Sequence, residues 1–246
     1  MAKDDVRYVR APITEAVLDI QIAAPNGLSL SSLASLQQAA GGGYNSRREM
    51  FAMEGKLTGG AQVSASAKQQ QIGFFFGRSD NLRAWQARLT GFAFNHFPPY
   101  TSWKKFESEA RRLWTAYRSL AEDVRVLRIG LRYINHINIP LPSVEISHYL
   151  HTYPQISREL PQVLSGYFMQ LQIPQDDISS VLIINQALMT QAEPGTTSIL
   201  LDIDLVRDID PPQGEQEIWN LINEFCQRKN TAFEACITDE VRRVIA

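Results

Sequence analysis

The sequence predicts a single α+β domain over residues 1–246, built from two similar halves, 1–122 and 123–246. Three observations predict it: short segments that alternate apolar and polar residues, two long amphipathic helices, and the same order of both in each half. Each half is expected to follow the order β-α-β(3-4)-α. Such a pseudo-repeat predicts antiparallel sheets side by side, or one long sheet, with helices packed on one face.

The first half opens with a strand over residues 16–23, in which apolar residues recur at every second position. A helix follows from Leu30 and ends at the glycines 41–43, because glycine is a frequent helix stop. Residues 47–79 are repeatedly interrupted by glycine and predict a meander of antiparallel strands. One further strand is expected over residues 87–97.

A double proline at positions 98–99 introduces the clearest helix of the chain. Its apolar residues recur three and four positions apart, which is typical of a helix with one buried side. This stripe comprises Trp103, Phe106, Ala110, Leu113, Trp114, Tyr117 and Leu120. Large aromatic side chains at such spacing predict a packed core rather than a cofactor pocket.

The second half repeats the plan. A long alternating strand over residues 126–139 precedes a short helix over 144–153. Three strands are then expected, at about 163–172, 179–191 and 197–206. The prolines 211–212 introduce a second long helix that contains tryptophan, and Thr238 is the expected N-cap of a short terminal helix.

Composition narrows the class of protein. Hydrophobic residues make up 44% and charged residues 20%, which is ordinary for a globular domain, and the formal charge of −2 excludes a globally basic protein. The first ten residues lack the apolar core of a signal peptide, and no apolar run approaches a membrane span. A cytoplasmic protein without membrane contact is therefore expected, with Cys226 and Cys236 as buried free thiols.

Charged side chains are predicted on the side of the strands away from the core. Alternation along residues 126–139 places Arg128, Arg132 and His136 on one side of their strand. Asp19 on the first strand, and Asp202 and Asp204 on the last, are expected on the same side of the sheet. The predicted binding residues are Arg128, Arg132, His136, Asp19, Asp202 and Asp204. Two interpretations stay open: cross-strand charge pairing on a solvated surface, or a polar recognition surface.

No motif indicates catalysis. Asp202 and Asp204 could converge on a cation, but no third acid stands at a diagnostic spacing, so no metal site is predicted. His148 and His151 are three residues apart but lack an H-E-x-x-H context. The sequence contains no nucleophile elbow, no phosphate-binding loop and no dinucleotide fingerprint. We therefore predict no catalytic residue and no cofactor, and an enzyme is the less favoured class.

Several segments, spread over essentially the whole chain, resemble one protein family. They are PITEAVLDIQI, FNHFPPYTSWKKFESEARRLWTAY, VLRIGLRYINHINIP, LLDIDL and AFEACITDEVRRVI. Together they are similar to a sporadically distributed bacterial and archaeal family of roughly this chain's length, known by its sequence signature and not by an activity. The patchy distribution of that family implies genes carried on mobile or defence islands, including toxin–antitoxin and anti-phage loci.

Three functions remain as alternatives at this level. The favoured one is a non-catalytic binding or interaction protein with a protein partner or a second copy of itself, expected in a bacterial defence or toxin–antitoxin locus. The alternative is a nucleic-acid-binding module that uses a sheet face with Arg128 and Arg132, although Asp202 and Asp204 on that face argue against a polyanion. An enzyme of unrecognised type is the second alternative.

Overall fold

A computed structural model describes residues 8–41, 43–58, 64–121, 123–140, 145–162, 164–189, 195–211 and 214–246. These residues form nine strands, four α-helices and two single-turn 3-10 helices at 146–148 and 176–178. The strands are β1 (Ile13–Ile22), β2 (Ser46–Thr58), β3 (Ser64–Gly77), β4 (Arg83–Arg88), β5 (Gly91–His96), β6 (Val126–Pro140), β7 (Phe168–Gln175), β8 (Ser180–Met189) and β9 (Thr196–Asp208). The helices are α1 (Leu30–Ala40), α2 (Trp103–Arg118), α3 (Glu215–Cys236) and α4 (Asp239–Ile245).

The predicted α+β class is confirmed. The strands form an antiparallel sheet in the order β2-β3-β4-β5-β1-β6-β9-β8-β7. The chain divides into two compact units. The α2 unit comprises Leu18–His96 and Ser102–Arg128, and the α3 unit comprises Met1–Val17, Phe97–Thr101 and Ile129–Ala246.

The core of the α2 unit is aromatic. Strand pairing brings Phe76 opposite Trp85 and Trp85 opposite Phe94, so these side chains share one side of the sheet. Helix α2 covers this side with the apolar stripe that the sequence predicts, since Phe92 lies edge-on to Trp114 at 5.6 Å between ring centroids. The predicted stripe is confirmed, because its central members Phe106, Ala110, Leu113, Trp114 and Tyr117 are all buried.

The core of the α3 unit is mainly aliphatic. Strand β9 buries Ile199, Leu201, Ile203 and Leu205, and β6 buries every second residue from Ile129 to Ile139. Helix α3 contributes the fully buried Trp219 and Phe225. The alternation expected on these two strands is therefore confirmed, and it determines which side of each strand is available for function.

Several predicted elements differ from the structure, including the short strands expected between the glycines of 47–79, which are replaced by the long strands β2 and β3. The single strand expected over 87–97 is wrong, because Leu89 and Thr90 close a hairpin between β4 and β5. The strand expected at about 163–172 begins only at Phe168. Position 163, and positions 190 and 191 of the strand expected over 179–191, lie outside the described residues. The helix expected over 144–153 is reduced to the 3-10 turn at 146–148, and its first residue lies outside the described residues.

Cys226 and Cys236 are buried thiols outside any disulfide, as expected. Burial raises the pKa of the Cys236 thiol to about 11, so this group is protonated at neutral pH. Among the described residues, no helix combines the length and the apolar character needed to cross a bilayer.

Candidate functional site

Strand β6 separates two environments in the α3 unit. Tyr133 points toward α3, where the Lys229 ammonium lies 3.7 Å above the centroid of its ring. Arg132 is the preceding residue and therefore points to the opposite side, which we call the open side of this unit. The open side is where the sequence predicts the polar binding residues.

Arg132 and Asp202 form a two-pronged ion pair on the open side. Nε of Arg132 donates to Oδ1 of Asp202 at 2.8 Å, and Nη2 donates to Oδ2 at 2.6 Å. The Asp202 side chain is only 2% exposed, whereas that of Arg132 is 46% exposed. The guanidinium therefore covers the carboxylate, in the bidentate geometry that gives the strongest charge-assisted hydrogen bonds.

Amide side chains extend this pair across two more strands. Asn185 of β8 donates to Oδ2 of Asp202 at 2.9 Å, and Gln170 of β7 donates to Oδ1 of Asn185 at 2.8 Å. Gln172 in turn donates to Gln170 at 3.4 Å. We call this chain of five side chains, from Arg132 to Gln172, the polar ladder. Each amide is held by a neighbour, so the ladder presents ordered polar groups to solvent.

The charge around Arg132 is predominantly negative. The hydrogen bonds that Arg132 donates to Asp202 raise the pKa of the guanidinium, burial opposes this, and the nearby carboxylates of Asp202, Asp204 and Glu15 raise it further. Arg132 therefore stays charged at every physiological pH, but three carboxylates surround it. Such a site repels phosphate groups rather than attracting them.

The remaining predicted binding residues have separate environments. Asp19 lies in the α2 unit, where it accepts a hydrogen bond from Nη2 of Arg88 at 2.5 Å. Arg128 belongs to the same unit and is half-buried. In the α3 unit, His136 is anchored through its backbone N–H to the carbonyl of Pro12. Of the predicted residues, the structure joins Arg132 and Asp202 by a direct ion pair.

The histidines expected on a short helix do not form a ligand set. His148 lies 3.3 Å from Glu145, and both side chains are largely exposed. His151 lies near Asp239 and Glu240 in a shallow surface depression. Across the part of the chain that the structure describes, no group of three or more histidine, cysteine, aspartate or glutamate residues could hold a metal ion.

A two-stranded ribbon in the α2 unit is exposed, and the sequence does not predict it. Strand β3 pairs with β4 only over Gly73–Gly77, whereas its pairing with β2 continues from Gln71 to Ser64. Residues 51–58 and 64–71 therefore form a ribbon that no third described strand supports. Eight residue pairs at about 3.4 Å per residue give a length of about 25 Å.

One side of the ribbon, which we call its apolar side, carries Phe51 and Met53 beside two glutamines. Phe51 pairs with Gln71 and Met53 with Gln69, so these four side chains share a side. Phe51 is 47% exposed and Met53 is 77% exposed. On the other side, Glu54 pairs with Lys68, an opposite-charge pair that favours this register.

The base of the ribbon is built by a bulge and a glycine. The register shifts between Met50 and Phe51, which leaves Ile72 as the extra residue, and bulges of this kind bend and twist a strand pair. The next residue is Gly73, where a Cβ would lie 2.1 Å from the carbonyl oxygen of Ala87. Only glycine allows this close approach of β3 to β4, so the point where the ribbon leaves the sheet is fixed by sequence.

A buried lysine in α3 is a second feature that the sequence does not predict. Lys229 is only 8% exposed and contacts Tyr133, whose hydroxyl hydrogen-bonds that of Tyr100 at 2.8 Å. Burial raises the pKa of Tyr133 well above its ordinary value, so the phenol is neutral. A cation over an aromatic face is a stabilising arrangement, and it accounts for this lysine within the core.

Gln186 of β8 is fully buried on the side that faces the core, and neither polar atom of its amide has a hydrogen-bond partner within the described parts of the chain. Replacing Gln186 with leucine is expected to raise the free energy of unfolding by about 1 kcal/mol, because an unsatisfied buried amide costs free energy that an apolar group of similar size does not. Urea unfolding followed by circular dichroism measures this. Gln186→Glu is the matched control and is expected to destabilise, and a loss of stability in Gln186→Leu would contradict the prediction.

Neither the comparison with protein-family models nor that with curated proteins gives a match to this sequence. The functional argument therefore depends on the geometry of the polar ladder and the ribbon.

Proposed function

We propose that this chain is a non-catalytic protein-binding module that engages a protein partner through the apolar side of its ribbon. The observation that carries the proposal is the exposure of Phe51 and Met53 on a strand pair that no third described strand supports. Large apolar side chains with this exposure are only partly packed by the described residues. They are typical of interaction sites, where a partner supplies the missing contacts.

The character of the exposed surfaces favours a protein partner over a nucleic acid. The alternative module would use Arg132 to contact phosphates, but that guanidinium is already bonded to Asp202 and stands near Asp204 and Glu15. The ribbon sequences 51–58 and 64–71 contain two lysines and one glutamate, which is too little positive charge for tight backbone binding. Apolar contact through Phe51 and Met53 fits a hydrophobic groove on a protein.

The test combines a loss-of-contact variant with site-specific crosslinking. The double variant Phe51→Ser, Met53→Ser is expected to lose the partner that the wild-type chain captures from its native host. A photo-crosslinking amino acid at position 53 is expected to join the same partner covalently. Because Met53 is largely exposed and Phe51 about half exposed, the double variant is expected to unfold in urea within about 1 kcal/mol of the wild type.

Leu160→Ser is the matched control, since Leu160 is 57% exposed but lies in the α3 unit. It is expected to keep the partner. Retention of the same partner by the ribbon double variant would overturn the proposal. So would a captured species that is destroyed by nuclease and released by moderate salt, which would favour the nucleic-acid-binding alternative with Arg128 and Arg132.

We also propose that the two halves, 1–122 and 123–246, are pseudo-repeats. The support is the order of strands within each half. Starting from its first strand, the first half runs β1, β5, β4, β3, β2, and the second runs β6, β9, β8, β7. In both, the last strand returns beside the first and is followed by a long helix, α2 or α3. Superposition of the halves of an experimental structure tests this, and a different connectivity of equivalent strands would refute it.

The setting of the interaction is part of the same proposal. Two buried thiols that form no disulfide are expected in a reducing compartment, which supports a cytoplasmic encounter. The resemblance to the sporadically distributed family supports a partner from a defence or toxin–antitoxin locus. Identification of the crosslinked protein tests this directly, because a partner encoded beside the gene is expected.

A further inference from the structure

Strand β7 is a terminal strand of the sheet and has no charged residue. Its sequence is FMQLQIPQ, and Phe168, Gln170, Gln172, Ile173 and Pro174 are exposed. Terminal strands usually carry charges that discourage pairing with another chain. The opposite terminal strand, β2, follows this rule with two arginines and two glutamates among its residues 46–54. β7 therefore lacks the charges that protect β2, although Pro174 blocks one backbone position near its end.

The backbone of β7 has a defined set of outward hydrogen-bonding groups. The N–H of Leu188 donates to the carbonyl of Tyr167, which makes this facing pair a hydrogen-bonded one. Hydrogen-bonded and non-hydrogen-bonded pairs alternate in an antiparallel ladder, so Met169, Leu171 and Ile173 also bond to β8. The N–H groups of Phe168, Gln170 and Gln172 consequently point away from the sheet. The remaining outward position is Pro174, which has no N–H to satisfy.

The side chains of β7 are nearly symmetric about Leu171. Gln170 and Gln172 flank it, then Met169 and Ile173, then Phe168 and Pro174. When such a strand pairs antiparallel with a copy of itself about a two-fold axis at Leu171, glutamine meets glutamine and every other position meets an apolar residue. A two-fold contact requires this self-complementarity, because each residue faces its mirror position in the other copy.

We infer that β7 is a homodimerisation strand whose occupant is β7 of a second copy of this chain, in antiparallel register centred on Leu171. In this register Gln170 exchanges both backbone hydrogen bonds with Gln172 of the second copy, and Gln172 does so with its Gln170. The N–H of Phe168 donates to the carbonyl of Pro174 of the second copy. Every outward N–H of both strands is then used.

The contact is one strand wide, so the dimer is reversible and its population depends on chain concentration. This inference involves a different unit from the ribbon and is independent of the proposed function. The polar ladder ends at Gln170 and Gln172, so the dimer places the ends of two ladders next to each other.

Sedimentation velocity and light scattering on the full chain test the inference. Over about a hundredfold range of concentration, the wild-type mass is expected to rise from the 27.8 kDa of one chain toward twice that value. In Gln170→Lys, Gln172→Lys, like charges face each other at both glutamine pairs. The dissociation constant is expected to rise at least about tenfold, because like charges directly opposite destabilise a strand pair.

The matched control is Gln170→Lys, Gln172→Glu. It also loses the Gln170 bond to Asn185, but in the register centred on Leu171 each lysine faces a glutamate, so the dimer is expected to persist. Circular dichroism and urea unfolding of each variant establish that the chain is folded. A wild-type chain that stays monomeric throughout would overturn the inference. An unchanged dimer in the double-lysine variant, or a monomer in the lysine–glutamate variant, would overturn the pairing or its register.

Discussion

Replacing Trp85 with alanine is expected to lower the free energy of unfolding by about 3–5 kcal/mol. Trp85 is fully buried at the centre of the aromatic core of the α2 unit. Its ring stacks on Phe76 at 4.7 Å between centroids, and Phe92 and Tyr44 lie at 6.0 and 6.5 Å. Truncation removes all of these contacts at once and leaves a cavity, because close-packed neighbours relax only in part. Urea unfolding monitored by far-ultraviolet circular dichroism measures the loss.

Trp85→Phe is the matched control. The indole N–H of Trp85 has no hydrogen-bond partner within the described parts of the chain, so phenylalanine removes an unsatisfied donor as well as some apolar contact. Removing the unsatisfied donor stabilises the chain, whereas losing apolar contact destabilises it. Trp85→Phe is therefore expected to lower the free energy of unfolding by less than half as much as Trp85→Ala. Equal losses in the two variants would contradict this account, since they would show that the indole N–H makes a stabilising bond.

The main elements follow from alternation because burial on one side leaves a regular pattern. β6 and β9 bury alternate residues, and the helix stripe from Phe106 to Tyr117 buries one side of α2. The hairpin between β4 and β5 could not be predicted this way. Its two-residue turn, Leu89–Thr90, contains none of the glycine or asparagine residues that usually mark such turns. Gly91 follows the turn, and a Cβ there would lie 2.6 Å from the carbonyl oxygen of Ile20, so packing against β1 contributes to that connection.

The ribbon shows a different limit. Glycines at 55, 59, 60 and 73 suggest breaks between short segments, whereas Gly55 and Gly73 lie within long strands; residues 59 and 60 lie outside the described residues. A strand exposed on both sides has no buried set of residues, so it leaves no alternation to detect. An element whose apolar residues serve a partner instead of its own core is therefore hidden from pattern analysis.

The polar ladder lies between these cases. Alternation along β6 correctly assigns Arg132 to the side away from α3, because that assignment needs only the period of a strand. Identifying Asp202 as the partner of Arg132 requires the register between β6 and β9, because the two residues are seventy positions apart in the chain. Nothing in the sequence indicates that Asn185 and Gln170 continue the chain of hydrogen bonds, since amides are common on any solvated strand.

Arg132→Ala is expected to lower the free energy of unfolding by about 2 kcal/mol. The substitution leaves the buried Asp202 carboxylate with Asn185 as its remaining bonded side chain in the ladder. Removing one member of a fully buried ion pair costs about 3–5 kcal/mol, and the value here is smaller because Arg132 is 46% exposed and water can reach the vacated position. Arg128→Ala is the matched control, since Arg128 lies four residues earlier in β6, and it is expected to cost less than about 0.5 kcal/mol.

A double-mutant cycle separates the ion pair from the packing of the arginine stem. In the Asp202→Asn background the buried charge is gone, so Arg132→Ala is expected to cost about 1 kcal/mol less than it does in the wild type. Urea midpoints and slopes for the four proteins give the coupling free energy. If Arg132→Ala costs the same in both backgrounds, the carboxylate does not depend on the guanidinium. The open side would then be a solvated surface on which Arg132 is available for a ligand, and the argument against phosphate binding there would fail.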